Sequence, residues 1–262
     1  MRSRPALLAL AAVLVLIVGG GAAAWALFLR GDEVAPLSLP SRAPTGSSGP
    51  AASGGVAGPS GATTSGSTTS LPPASAATLS AASLPGTWTI GADSVVGYRV
   101  REKLASLSAE SDAVGRTSGI TGSATIASSG AMLSVTGAEF TVDMTTLASD
   151  RQMRDNRLRT DGIQTASFPT SSFKLTSSVT LPATAASGSP VDVTLHGDLT
   201  LHGVTKSVDI SAKAQLNGSL IQVLGTLSFP FSDYAINAPN IGGFVSVADQ
   251  GTLEFLVNLT KA

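Results

Sequence analysis

His196 and His202 are the only imidazoles in the chain. A His-x5-His spacing invites a metal site. Both, however, share strand parity with Asp198 and Thr200 and oppose Leu195, Leu199 and Leu201. That parity predicts a polar outer face, with His202 at a turn. Six residues of extended strand separate the two rings by about 20 Å, too far for one ion. No metal site is expected. The dense basic cluster is Arg151, Arg154, Arg157 and Arg159. An Arg151–Asp155 pair at i,i+4 fits a solvated helix face. The alternative chemistry is a phosphate-like head group held by Arg151, Arg154 and Arg157. Nucleophilic and acid–base machinery is missing: there is no cysteine, no G-x-S-x-G elbow, no Gly-rich phosphate loop and no H-E-x-x-H. Carboxylates are scattered singly. The reading is a binding protein, not an enzyme, with no cofactor. A net charge of −1 and the lack of interleaved aromatics argue against nucleic acid.

The elements that must position these residues lie in the last of three unlike parts. Residues 84–262 alternate with period two. Val96, Tyr98 and Val100 alternate with Gly97 and Arg99, and Phe140, Val142 and Met144 with Thr141 and Asp143. Phe173, Leu175, Val179 and Leu181 share one parity, as do Val191, Val193, Leu195, Leu199 and Leu201. Such alternation marks strands with one buried and one wet face. Ser128-Ser129-Gly130, Ser187-Gly188-Ser189-Pro190, His202-Gly203 and Asn217-Gly218 punctuate the runs, the last as a two-residue hairpin loop. Seven to nine short-linked strands predict an all-β antiparallel meander, closed as a barrel or split as a sandwich. Residues 148–159 break the rhythm and read as one short helix, capped by Ser149 or Asp150, with Met153 and Leu158 inward. This helix would cover one barrel end.

Residues 1–30 hold an uncharged apolar run from Ala6 to Leu29, preceded by Arg2 and Arg4. Twenty-four helical residues reach about 36 Å, enough for one membrane span. The charge bias puts the N-terminus in the cytoplasm and the rest outside it, at a cell membrane. Ala22-Ala23-Ala24 offers a signal-peptide cleavage site instead, which would make the chain secreted. Trp25 to Leu29 extends the apolar run past that point and favours the anchor. Residues 31–83 are rich in Pro, Gly, Ser, Thr and Ala and read as a disordered tether of about 40 Å r.m.s. span.

Four stretches of the third part resemble the YceI-like family of lipocalin-like, polyisoprenoid-binding proteins. They are Trp88-Thr89-Ile90 with Ser94, Val96 and Tyr98; Ser149-Asp150 with Arg154-Asp155, Leu158, Phe168-Pro169 and Phe173; Gly197-Asp198-Leu199-Thr200-Leu201-His202-Gly203-Val204-Thr205-Lys206; and Phe231-Ser232-Asp233-Tyr234. The resemblance implies an antiparallel eight-stranded lipocalin-like barrel with an apolar pocket for an isoprenoid or fatty-acid-like lipid. Its expected lining is Trp88, Tyr98, Phe140 and Phe173 on the strands. Phe229, Phe231, Tyr234 and Phe244 join them from the Gly/Pro-punctuated loop. The function so implied is an extracytoplasmic, membrane-tethered binding or carrier protein. The alternative is a stalk-displayed interaction module with a filled core.

Overall fold

Alternating inward and outward residues can satisfy every backbone group only if the sheet has no free edge, and closure provides that. The computed structural model describes residues 34–40, 79–104, 110–238, 240–241 and 245–262. Its strands are β1 (Gly86–Ile90), β2 (Val95–Leu104), β3 (Glu110–Thr117), β4 (Ile120–Ser129), β5 (Met132–Asp143) and β6 (Ala148–Ser149). They continue with β7 (Thr170–Leu175), β8 (Val179–Leu181), β9 (Val191–Leu201), β10 (Val204–Asn217), β11 (Leu220–Pro230), β12 (Asn240–Ile241) and β13 (Val245–Lys261). One helix, α1 (Gln152–Thr160), lies between β6 and β7. Every pairing is antiparallel, and eight strands form a closed circuit, β1-β4-β5-β7-β9-β10-β11-β13 and back to β1. The expected eight-stranded barrel with one helix is therefore present, and the sandwich is not. At the other end of β13 the wall continues as β2, β3 and β6.

Closure is made by Trp88, Thr89 and Ile90 opposite Lys261, Thr260 and Leu259. Trp88 is fully buried, and its Nε1–H donates to Leu84 O at 2.8 Å. With Leu84, Ile126, Leu216 and Leu259 it plugs this end of the barrel. A second cluster, Met144, Leu199, Leu201, Tyr234 and Ile236, supports the opposite end. Turn chemistry follows the residues. His202 and Gly203 both take positive φ between Leu201 and its partner Val204. The β10–β11 loop is Gly218-Ser219, one residue later than expected, because Asn217 pairs with Leu220. Gly218, at φ +62°, supplies the left-handed turn residue.

The helix starts later than the sequence reading placed it. Arg151 holds the cap position without a side-chain cap bond. Asp155 instead reaches back to Ser149, accepting from its N–H at 3.0 Å and its hydroxyl at 2.7 Å. The expected Arg151–Asp155 pair is thus replaced, and Arg151 lies 3.6 Å from Asp150. Met153 is 78% exposed, not inward, while Leu158 is half-buried.

The proposed membrane span lies outside the described residues. No helix among those described is long and apolar enough to cross a membrane. Two pieces of the expected tether are ordered against the barrel. Leu79 N–H donates to Gly218 O at 3.5 Å. Residues 34–40 are bonded to β2, β3 and β10 through Arg99, Arg116 and Gln215.

Trp88→Ala is expected to destabilise the barrel by about 3–5 kcal/mol, since it opens a cavity and orphans Leu84 O. Urea denaturation checks this; a loss below 1 kcal/mol would mean Trp88 does not carry the plug.

Candidate functional site

The inward face of a barrel either packs against itself or encloses space. Here it encloses two adjoining volumes. The inner cavity, about 160 Å³, is walled by aliphatic side chains of β4, β5, β9, β10, β11 and β13 together with Phe140, Phe173 and Phe255. The mouth cavity, about 490 Å³, lies between β2, the Phe229–Phe231 segment and α1. Val96, Val142, Ser171 and Leu253 line both, so the two volumes adjoin along the barrel axis. Dry apolar cavities of about 150 Å³ bind small hydrocarbons, and ligand pockets run from about 300 Å³ upward.

Small residues make room for the rings. Phe173 lies across Gly197 of β9, where any Cβ would overlap its ring, and Tyr98 lies across Gly115 of β3 in the same way. Replacing either glycine forces the ring further into the lumen.

The mouth is polar on one side only. Glu102 is inward-facing on β2 and 8% exposed. Arg154 from α1 meets it with Nη2 at 2.7 Å from Oε1 and also pairs with Asp150. This ion pair pins the helix across the barrel end. Burial alone would lower the pKa of Arg154; Glu102 and Asp150 outweigh it and hold the guanidinium above its ordinary value. Tyr98 Oη lies beside this pair, buried, with no hydrogen-bond partner among the described residues. Burial raises its pKa well above the ordinary tyrosine value, so it stays a neutral hydroxyl.

The structure sorts the residues singled out from sequence. Phe140 and Phe173 line the inner cavity, and Tyr98, Phe229 and Phe231 the mouth. Arg151, Arg154 and Arg157 all border the mouth cavity; Arg154 is buried and paired with Glu102 and Asp150, while the more exposed Arg151 and Arg157 lie 3.6 Å from Asp150 and 3.9 Å from Asp161. Trp88 and Tyr234 line neither volume. Trp88 is the plug, and Tyr234 is buried edge-on to Phe229, ring centroids 5.1 Å apart, with its hydroxyl pushed up to about 12 by burial. Phe244 lies outside the described residues. His202 is buried, not outward. Its Nδ1–H donates to Tyr234 O at 2.9 Å, and its ring packs on Phe168 at 4.2 Å. His202 sits at a positive-φ turn, and Phe168 and the Tyr234 carbonyl cover its ring. His196 pairs with Asp209 on the surface. Among the described residues no group of three metal-ligating side chains converges. Sequence reasoning missed Glu102. Its parity with Val96, Tyr98 and Val100 pointed inward, against the habit of a carboxylate.

A closed eight-stranded meander with an apolar lumen and a helix at one mouth defines a lipocalin-type barrel. The YceI-like domain family matches residues 88–259, and the chain belongs to that family. Similar solved structures include a polyisoprenoid-binding domain from Saccharophagus degradans implicated in plant cell wall breakdown. It is 16% identical with a TM-score of 0.49, covering 67% of this chain and 98% of that one. Burkholderia cenocepacia BcnA is 18% identical with a TM-score of 0.44, covering 62% and 95%. A Campylobacter jejuni YceI protein is 17% identical with a TM-score of 0.39, covering 55% and 83%. Among curated proteins none matches.

Tyr98 and Tyr234 are the chain's only tyrosines. Ultraviolet titration should show almost no tyrosinate at pH 10 in the folded protein and about half in denaturant. Because both folded-state values are raised, their stabilising contribution is complete below pH 10. It is lost as pH climbs through the folded values. Ordinary titration of either ring at pH 10 would contradict its burial. Arg154→Met leaves Glu102 buried and unpaired, with an expected cost of about 3 kcal/mol by urea denaturation. Adding Glu102→Met should restore most of it; equal losses in the single and double variants would show that the pair does not matter.

Proposed function

We propose that this chain is a non-enzymatic carrier that holds one apolar or amphiphilic molecule, of isoprenoid or fatty-acid-like lipid type, inside the barrel. The observation that carries this reading is the pair of adjoining cavities inside the barrel, apolar at depth and with Glu102, Arg154 and Tyr98 at the mouth. A hydrocarbon tail lies among Phe140, Phe173, Ile210 and Val223. The head group sits under α1, where Tyr98 Oη is an unused donor and Arg151 and Arg157 stand at the rim. With Arg154 already paired to Glu102 and Asp150, the deep part of the mouth favours an uncharged head atom, and an anionic head would be met only at the rim. Family membership supports the reading, and the name of the Saccharophagus degradans domain gives the ligand chemistry for that relative. The apolar run of residues 6–29 supports a tethered, extracytoplasmic location.

Full-length protein purified from membranes should release a lipid in near-equimolar amount on solvent extraction, with the matching mass shift in native mass spectrometry. Ala138→Trp, which fills the inner cavity, should abolish that shift while the barrel stays folded by circular dichroism. Recovery of no lipid from the unsubstituted chain, or of equal lipid from the filled variant, would contradict the reading.

A further inference from the structure

The outer wall of the barrel carries a second constellation that the lumen does not use. Strands β3, β2, β13, β11 and β10 stand side by side in that order. Their outward register positions include Arg116, Arg99, Glu254, Gln222 and Gln215. Glu254 is 2% exposed although it points away from the lumen. Arg116 reaches it at 2.7 Å and Arg99 at 3.5 Å. On the same wall Gln215 Nε2 donates to Gln222 Oε1, and Gln222 Nε2 to Asn258 Oδ1, both at 2.9 Å. Buried polar side chains on an outward face need a cover.

The cover is the chain's own Val34–Pro40. Arg99 Nη2 donates to Val34 O at 2.9 Å and Arg116 Nη2 to Ala35 O at 2.6 Å. At the far end Gln215 Nε2 donates to Pro40 O at 3.3 Å. Every acceptor is a backbone carbonyl, so the wall reads an extended main chain. Val34, Leu37 and Leu39 are half-buried, while Ala35, Pro36, Ser38 and Pro40 are exposed. The wall between the anchoring side chains is apolar. Leu224 and Leu256 pair outward across β11 and β13 and are half-buried, and outward Val114 is 4% exposed. Pro36 and Pro40 have no N–H to leave unsatisfied, and their fixed φ lowers the entropy lost on docking.

We propose that this outer wall is a peptide-binding site, specific for an extended apolar strap and occupied in cis by Val34–Pro40. Docking changes what the tether does. Pro40 is bonded at Gln215, and Leu79 is bonded at Gly218 of the same hairpin. Pro40 and Leu79 thus both sit at the β10–β11 corner of the barrel. The Val34 end lies level with Tyr98 and Val100, the neighbours of Arg99 that line the mouth. Residues 31–33, about 10 Å when extended, are all that separate the strap from Arg30. With the anchor proposed above, this holds the mouth, not the plugged end, beside the lipid surface. That consequence rests on the anchor reading, which flotation of the full chain with vesicles tests separately; the docking does not.

The chain has no cysteine, so Ser38→Cys accepts a single nitroxide label in full-length protein. Paramagnetic broadening is expected at the amides of Leu224, Thr226 and Leu256, and not at Glu139 or Thr141 on β5. Leu37→Asp with Leu39→Asp, carrying the same label, should lose that broadening with the remaining barrel resonances unshifted. Unchanged broadening in this variant, or none in the parent, would overturn the proposal. Mixing isotope-labelled chain without nitroxide and unlabelled chain with nitroxide should give no broadening. Broadening there would place a second copy on the wall and overturn occupancy in cis.

Discussion

Pairing of β1 with β13 decides what every other residue does. Those few register positions close the sheet, and a closed sheet divides each strand into a lumen face and an outer face with no third option. Trp88 sits at the seam and stoppers the end beside it. The other end, where β13 bends through an irregularity between Val247 and Gly251 and continues along β2, stays wide enough for a cavity. Depth, polarity and direction of the lumen all follow from which end is plugged.

The mouth is organised by a charge that must not be left alone. Glu102 is buried on the inward face, and α1 delivers Arg154 to it. The same guanidinium holds Asp150 at the helix start, so one side chain fastens the helix and neutralises the carboxylate. The Tyr98 hydroxyl is left at the mouth, buried and without a hydrogen-bond partner among the described residues. The site is therefore an apolar pair of cavities with a neutral hydroxyl and a closed ion pair at the mouth and Arg151 and Arg157 at the rim.

Much of this was legible in the sequence where inference needs only local period. Val191, Val193, Leu195, Leu199 and Leu201 point inward as their alternation predicts, and the strands follow from such runs, whereas alternation alone leaves barrel and sandwich open and closure is implied by the family resemblance. What depends on residues meeting from far along the chain was not. Trp88 looks like pocket lining until β13 returns to close the seam. His202 looks solvated until Phe168 and Tyr234 arrive above it. Glu102 breaks the rule that charge points outward and needs Arg154, 52 residues away, to do so. The strap was hidden by its surroundings: Val34, Leu37 and Leu39 are three of the few large apolar residues in a segment whose average composition reads as tether.

In the proposed function hydrocarbon occupies the barrel interior, and the outer wall belongs to protein. Intermolecular NOEs from an unlabelled isoprenoid alcohol to methyl-labelled full-length protein test it most directly. The account predicts contacts to Val193, Ile210 and Val223, which face inward, and none to Leu224 and Leu256, which face outward on the same strands. Contacts confined to the outward methyls would contradict it.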